Sequence, residues 1–329
     1  MPGRLAFVVP GALRSVTGGN LYDRVVIEEL RRRGWTVDVA EPGSVPAACD
    51  VVVVDSLALA RIPQPVVPTV ALLHQLPSDA EGKPHQREIE RSALGRAHLV
   101  VTVSEHLARN ARELTAAPVV VNRPGWDRAP ADHRDPAPDI VLCVANAHPG
   151  KGVPEAVQAF VRAELDLELV VVGDPERDRD EGRRLREAME RTPRPVRLAG
   201  VVPAPELAAL FARARAFLTA SEYEGWPIAV SEAMASGVPV IGFDVPGLAE
   251  LVRSGVDGVL VPVRDVASLA RALARVAGDA ALSRRLGASG RRRARTWPTW
   301  DECARGFASL METLARDLRP SGAQATGAR

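Results

Sequence analysis

Lysine is almost missing from this chain: of 42 basic residues only Lys83 and Lys151 are lysines, and every other one is an arginine. Such a composition tends to replace any lysine whose place another cation can take, so both are informative. Cysteine is scarce as well. Cys49, Cys143 and Cys303 stand far apart with no CxxC or CxxH spacing, which argues against a disulfide framework and a zinc site and suits a reducing cytoplasm. No apolar run approaches the roughly 18 residues that span a bilayer, and residues 1–10 are too short and too soon broken by Pro10 to form a signal peptide. Net charge of one sign is absent too, because 42 basic against 41 acidic residues leave a formal +1. No global field gathers nucleic acid or an anionic membrane surface. Two strings are also wanting: a GxGxxG fingerprint, and a DxD after a strand that would hold a divalent ion. No metal is expected.

What is present suits two cores. A length of 329 residues exceeds what one core usually organises, and 46% hydrophobic with 25% charged residues is an ordinary globular balance. Apolar runs at 5–9, 36–39, 51–54, 69–73, 99–103 and 119–121 read as strands, with helical periodicity at 21–33, 86–96 and 105–114. Ser15 to Asn20, with Gly18 and Gly19, reads as a glycine loop between the first strand and the first helix. Continuous β-branched runs such as Val51 to Val54, ended by Asp55, suggest strands covered on both faces. Alternation of strand and helix implies a parallel sheet with right-handed crossovers.

From Arg128 to Pro138 the chain turns to Ala, Pro and Asp, as a stiff connection would. The alternation then restarts. Strands are expected at 140–144, 167–172, 196–198, 216–218 and 238–241, and helices at 154–163, 181–191, 205–212, 228–236 and 266–295. One more amphipathic stretch, 301–318, precedes a small-residue tail. The expected division is 1–130, 139–297, a terminal helix at 298–318 crossing back to the first domain, and a disordered tail at 319–329. Two doubly wound α/β domains would face a central cleft, where loops after the strands hold ligands.

Three constellations lie in such loops. In "SEYEGWPIAVSEAMASGVPV", residues 221–240, Glu224 falls in a loop and Glu232 on the following helix, with Pro227 suited to the helix start. The free amides of the turn that follows are a ready site for a diphosphate. Glu232, about one turn in, can accept from two neighbouring hydroxyls as a ribose presents them. Taken alone, two glutamates eight apart are an ordinary solvated helix face. In "VANAHPGKGV", residues 144–153, a glycine turn lets backbone approach an anion and Lys151 is a compact cation. Gly18 and Gly19 permit a close approach, and His74 and Asp244 each follow a strand. By themselves these last are weak signals.

The whole 221–240 string closely resembles the family-4 glycosyltransferases, with Glu224, Gly225, Trp226, Glu232, Ala233, Met234, Ala235, Gly237, Pro239 and Val240 in agreement. Lys151 and Gly152 match the second half of that family's GR…KG element; Ala145 and Asn146 stand where it has Gly-Arg, and Arg123 is a candidate compensating cation. Further likeness lies in "VVTVSEHLARNARE" and at Gly247, Glu250 and Gly258. The resemblance implies the two-domain GT-B fold of Rossmann-like sheets and a retaining, metal-independent transfer from a nucleotide-diphosphate sugar with no cofactor. It implies catalytic roles for Lys151, Glu224 and His74, and a donor site of Gly18, Gly19, Asn146, Lys151, Glu224, Gly225, Trp226, Pro227, Ile228 and Glu232. The acceptor, whether small molecule, lipid-linked or glycan, is unread, and nucleic acid is not expected as a partner. Expected localisation is cytoplasmic, with association at the inner face of the membrane left open. A sugar-nucleotide epimerase or hydrolase of the same fold, or a non-catalytic scaffold, are the alternatives.

Overall fold

A computed structural model describes residues 3–11, 13, 17–46, 48–61, 67–79, 84–126 and 138–317. Lys83, Ser15, Val16, all but the last residue of the proline-rich connection, and the tail at 319–329 lie outside the described residues. The first half runs β1 (Arg4–Val8), α1 (Gly18–Arg32), β2 (Thr36–Ala40), β3 (Val51–Asp55), β4 (Thr69–Leu73), α2 (Pro84–Leu94), β5 (Leu99–Thr102), α3 (Glu105–Arg112) and β6 (Val119–Val121). The second runs β7 (Ile140–Val144), α4 (Val153–Ala163), β8 (Glu168–Val172), α5 (Arg179–Glu190), β9 (Val196–Gly200), α6 (Ala204–Arg213), β10 (Ala214–Leu218), α7 (Ile228–Ala235), β11 (Val240–Phe243), α8 (Pro246–Leu251), β12 (Gly258–Val261), α9 (Val266–Gly278) and α10 (Ala280–Ala294). The last helix, α11, spans Trp300–Asp317.

Both sheets have six strands and every pairing is parallel. The first has the order β2-β1-β3-β4-β5-β6 and the second β12-β11-β10-β7-β8-β9. The order therefore reverses beside β1 in the first sheet and between β7 and β10 in the second, and these are the crevices where open α/β sheets take ligands. β3 and β4 are buried along their whole length, as their unbroken apolar runs anticipate. One continuous apolar cluster passes through both halves, from Phe7, Tyr22 and Leu72 to Phe160, Phe217 and Leu273. Each such side chain contributes roughly 1.5–3 kcal/mol by leaving water.

Three expectations are corrected. Gly18 and Gly19 are not loop residues but open α1, because Thr17 caps the helix: its Oγ1 accepts from Asn20 N at 3.1 Å. The stretch 266–295 is two helices, since the Asp279 carboxylate takes the amides of Ala281 and Leu282 and starts a new one. Strand β12 and the short helix α8 were not anticipated, because the Pro-Gly and Asp-Gly pairs around them read as turns.

α11 packs on α1 rather than on the second sheet. Phe307 meets Phe7 and Tyr22 with ring centroids 6.5 and 6.2 Å apart, and Arg33 reaches Glu312 at 3.1 Å. The two crossings between the halves lie side by side: Trp126 N donates to Pro298 O at 3.2 Å and Trp126 Nε1 to Trp297 O at 3.4 Å. Among the described residues no helix is long and apolar enough to cross a membrane.

Candidate active site

The second crevice is built by loops that backbone approach alone makes possible. Gly152 ends the loop after β7 with φ +62°, and a Cβ there would overlap the carbonyl oxygen of Ala220, which follows β10. Only glycine satisfies both demands. The ladder of contacts brings Lys151 to Glu224: Nζ lies 2.8 Å from Oε1, with side chains 38% and 13% exposed. A partly exposed lysine held by a more buried glutamate is a cation with room for a second anionic partner.

Helix α7 starts beside this pair. Pro227 is its N-cap, before a helix that begins at Ile228 as expected, and makes no side-chain capping bond. Its carbonyl takes Val230 N and Ser231 N at 3.0 and 3.2 Å. The helix end therefore keeps its partial positive charge directed outward. Glu232 is half-buried about one turn along. Trp226 differs from a cleft residue in its side chain, which is buried and packs edge-on against Trp297 at 5.9 Å, so only its backbone can approach a ligand.

The first half comes up against this loop. Gly225 leaves no room for a Cβ, which would overlap the carbonyl oxygen of His74. A Cβ on Gly18 would stand 3.2 Å from Ile228 Cδ1, and one on Gly19 would stand 3.3 Å from the His74 ring. Tyr223 Oη accepts from Leu76 N at 3.1 Å, and burial pushes its phenol well above the ordinary value. Gly18, Gly19, His74, Gly225 and Ile228 are thus neighbours across the two halves. From the second half come the Lys151–Glu224 pair and, next in the chain, the start of α7 at Pro227, with Glu232 a turn along it.

Three further candidates have partners of their own. Asn146 uses Oδ1 to accept from Asp174 N at 2.8 Å, tying the loop after β7 to the loop after β8. The Arg123 guanidinium is paired with Glu250 at 3.2 Å and Glu105 at 3.5 Å, and lies 6.0 Å from the Trp226 ring centroid. Asp244 is exposed, and its amide donates to Val261 O.

Sequence reasoning missed two features. Glu250, on α8, accepts from the amides of Glu105 and His106 at 3.1 Å each, so a residue of the second half caps helix α3 of the first. Asp23 and Asp55 surround His74 at the first sheet's edge, and both are buried. The available signals were an acid among the apolar positions Tyr22, Val26 and Leu30 of α1, and an acid ending a four-valine strand.

Comparisons with known proteins bear on this arrangement. The chain is 31% identical over 213 residues to glycogen synthase of Mycobacterium tuberculosis, covering 62% of this chain and 50% of that one. It is 38% identical over 149 residues to an exopolysaccharide phosphotransferase of Streptomyces coelicolor, covering 42% of this chain and 15% of the other. It spans half or less of the length of these curated relatives. Among solved structures, sucrose-phosphate synthase from Thermosynechococcus elongatus aligns with a TM-score of 0.80 at 23% identity, covering 95% of this chain and 99% of that one. Anabaena HepE, solved in complex with UDP-glucose, aligns at 0.77 and 18%, covering 94% and 100%. These likenesses establish the two-sheet GT-B fold. The model of the family "Glycosyl transferases group 1" matches residues 128–293, just over half of the chain and the whole of the Lys151, Glu224 and Glu232 region, and the chain belongs to that family.

Proposed function

We propose that this protein moves a sugar from a nucleotide-diphosphate donor to an acceptor hydroxyl, with retention at the anomeric carbon and without a metal ion or cofactor. One observation carries the reading: Lys151 and Glu224 are paired at the switch point between β7 and β10, next to the uncapped start of α7, with Glu232 a turn along that helix. The likeness to HepE, whose structure holds UDP-glucose, supports a nucleotide-sugar donor.

Breaking the bond between sugar and diphosphate places growing negative charge on the leaving phosphate, and donors already aimed there stabilise it without reorganising. In this reading Lys151 Nζ and the first amides of α7 receive the diphosphate, Glu232 takes the ribose hydroxyls, and Glu224 turns to the sugar. His74 and the start of α1 close over it from the first half. The acceptor is a small molecule, a lipid-linked sugar or a glycan. The three cysteines are unpaired thiols, which suits a reducing compartment such as the cytoplasm.

The test is transfer from a panel of nucleotide sugars with intact-mass detection of products, using Lys151→Ala and Glu232→Ala. Each substitution lowers transfer by at least about 100-fold, the size of one lost charge-stabilising group, with thermal midpoints unchanged. Near-normal turnover in both removes the assignment. Nucleotide release without a glycosylated product points instead to a hydrolase or epimerase, and no nucleotide binding at all to a scaffold.

A further inference from the structure

The first sheet carries a charged cluster whose two acids the proposed transfer leaves without a role. Asp23 reaches inward from α1, Asp55 ends β3, and His74 follows β4. His74 Nε2 lies 2.8 Å from Asp23 Oδ1 and 3.8 Å from Asp55 Oδ2. Asp23 is wholly buried and its Oδ2 has no partner. Asp55 Oδ1 accepts from Leu57 N at 2.7 Å and lies 3.5 Å from Ser56 Oγ, leaving Oδ2 toward the ring.

Two carboxylates withdrawn from water without a counter-charge are strongly disfavoured. Within this cluster the imidazole is the group that can supply one. Burial works against charge on His74, but the charge of Asp23, its hydrogen bond and then the charge of Asp55 outweigh it, so the imidazole is held above its ordinary value. Burial likewise pushes the Asp55 carboxyl up. Of the other groups about the ring, Tyr22 meets it edge-on at 5.2 Å and the second half presents the Gly225 backbone, flanked by Tyr223 and by Glu224, whose carboxylate is paired with Lys151. The His74 side chain keeps 14% of its surface exposed, and its Nδ1 makes no hydrogen bond among the described residues.

We propose that Asp23 and Asp55 are positioning residues that keep His74 a cation, its Nε2–H spent on the two carboxylates and its Nδ1–H left to donate to an oxygen of the bound nucleotide sugar. This rests on the proposed nucleotide-sugar donor and deepens it. His74 is then a donor of a hydrogen bond and not a base, because an imidazolium has no lone pair to accept with. The protein places an N–H donor at the first half's edge while the flanking carboxylates hold the ring's orientation.

The experiment is a nuclear magnetic resonance titration of the histidine side chains in the full chain, with the His74 signal identified by its loss in His74→Gln. His74 should titrate above about 6.5, the value of a free imidazole. Asp23→Asn should lower that midpoint by about one unit or more, a tenfold weaker hold on the proton, and Asp55→Asn by less. In transfer assays Asp23→Asn should lose activity at a pH where the parent protein still works, with KM for the donor rising as the ring deprotonates. A His74 midpoint at or below 6.5 in the parent protein, no change in either Asp variant, or tight binding of Zn2+ or Mn2+ in place of the proton overturns the proposal. Should Asp23→Asn fail to fold, Asp55→Asn carries the same test. Calorimetry of the parent protein with UDP keeps the two readings apart: absence of nucleotide binding defeats the donor reading, whereas the titration reports on the cluster in either case.

Discussion

At the edge of the second sheet, charge is partly open to solvent: Lys151 is paired yet more than a third exposed, and the start of α7 has no side-chain cap. At the edge of the first sheet it is enclosed, with Asp23 and Asp55 buried and His74 nearly so. The sheets share strand number and parallel pairing, so the contrast does not come from architecture. It comes from the segments that leave the strand ends. Glycines after β7 and β10 let backbone approach backbone and leave a cation and helix amides to face a ligand; after β3 and β4 the chain delivers side chains that satisfy one another first. An open edge can bind by charge, whereas a self-satisfied edge can only present what its own partners leave over.

The largest effect should come from forcing the two edges apart. Gly225→Ala sets a methyl group against the His74 carbonyl oxygen, so transfer should fall by about 100-fold or more, the cost of a displacement near 1 Å at a reacting centre. The fold of each half should persist, read by circular dichroism. Normal turnover in this variant would mean that the edges do not act together. A smaller effect is expected from Glu250→Ala, which leaves the first two amides of α3 without their acceptor, beside the Ser104 cap that remains, and releases Arg123. Loss of such an acceptor costs about 1 kcal/mol, and donor KM should rise about fivefold, with a larger radius of gyration by solution scattering. Unchanged scattering and KM would show that Glu250 stabilises α3 without joining the halves.

The smallest effect is on stability against pH. The folded protein holds the His74 proton more tightly than the unfolded chain does, so stability from this group is complete below about 6.5 and is lost as pH rises through the raised folded value. The thermal midpoint should therefore decline across that interval in the parent protein and decline less in His74→Gln. An equal slope in both would assign the pH dependence to other groups.

Much of the fold was legible because its strands are unbroken apolar runs: Thr69 to Leu73, Val119 to Val121 and Ile140 to Val144 begin and end where periodicity places them. Boundaries failed where a side chain overruled propensity, as Thr17 did in drawing two glycines into α1 and Asp279 in dividing a long helical stretch. The candidate residues from Glu224 to Glu232 stood out in the sequence because they are contiguous, whereas the pairing of Lys151 with Glu224 spans 73 positions. The cluster in the first half did not stand out, since Asp23, Asp55 and His74 are separated by 32 and 19 positions and meet only when α1, β3 and β4 are laid side by side. The pairing of Arg123 with Glu250 was hidden for the same reason, because nothing near it in the chain announces that partner.

The bonded contact of Trp126 with Trp297 and Pro298 gives the molecule a mechanical property. Together with Tyr223 Oη on Leu76 N and Glu250 on the first amides of α3, it pins the two halves at three separate places, so a ligand seated in the groove meets both of them in one register.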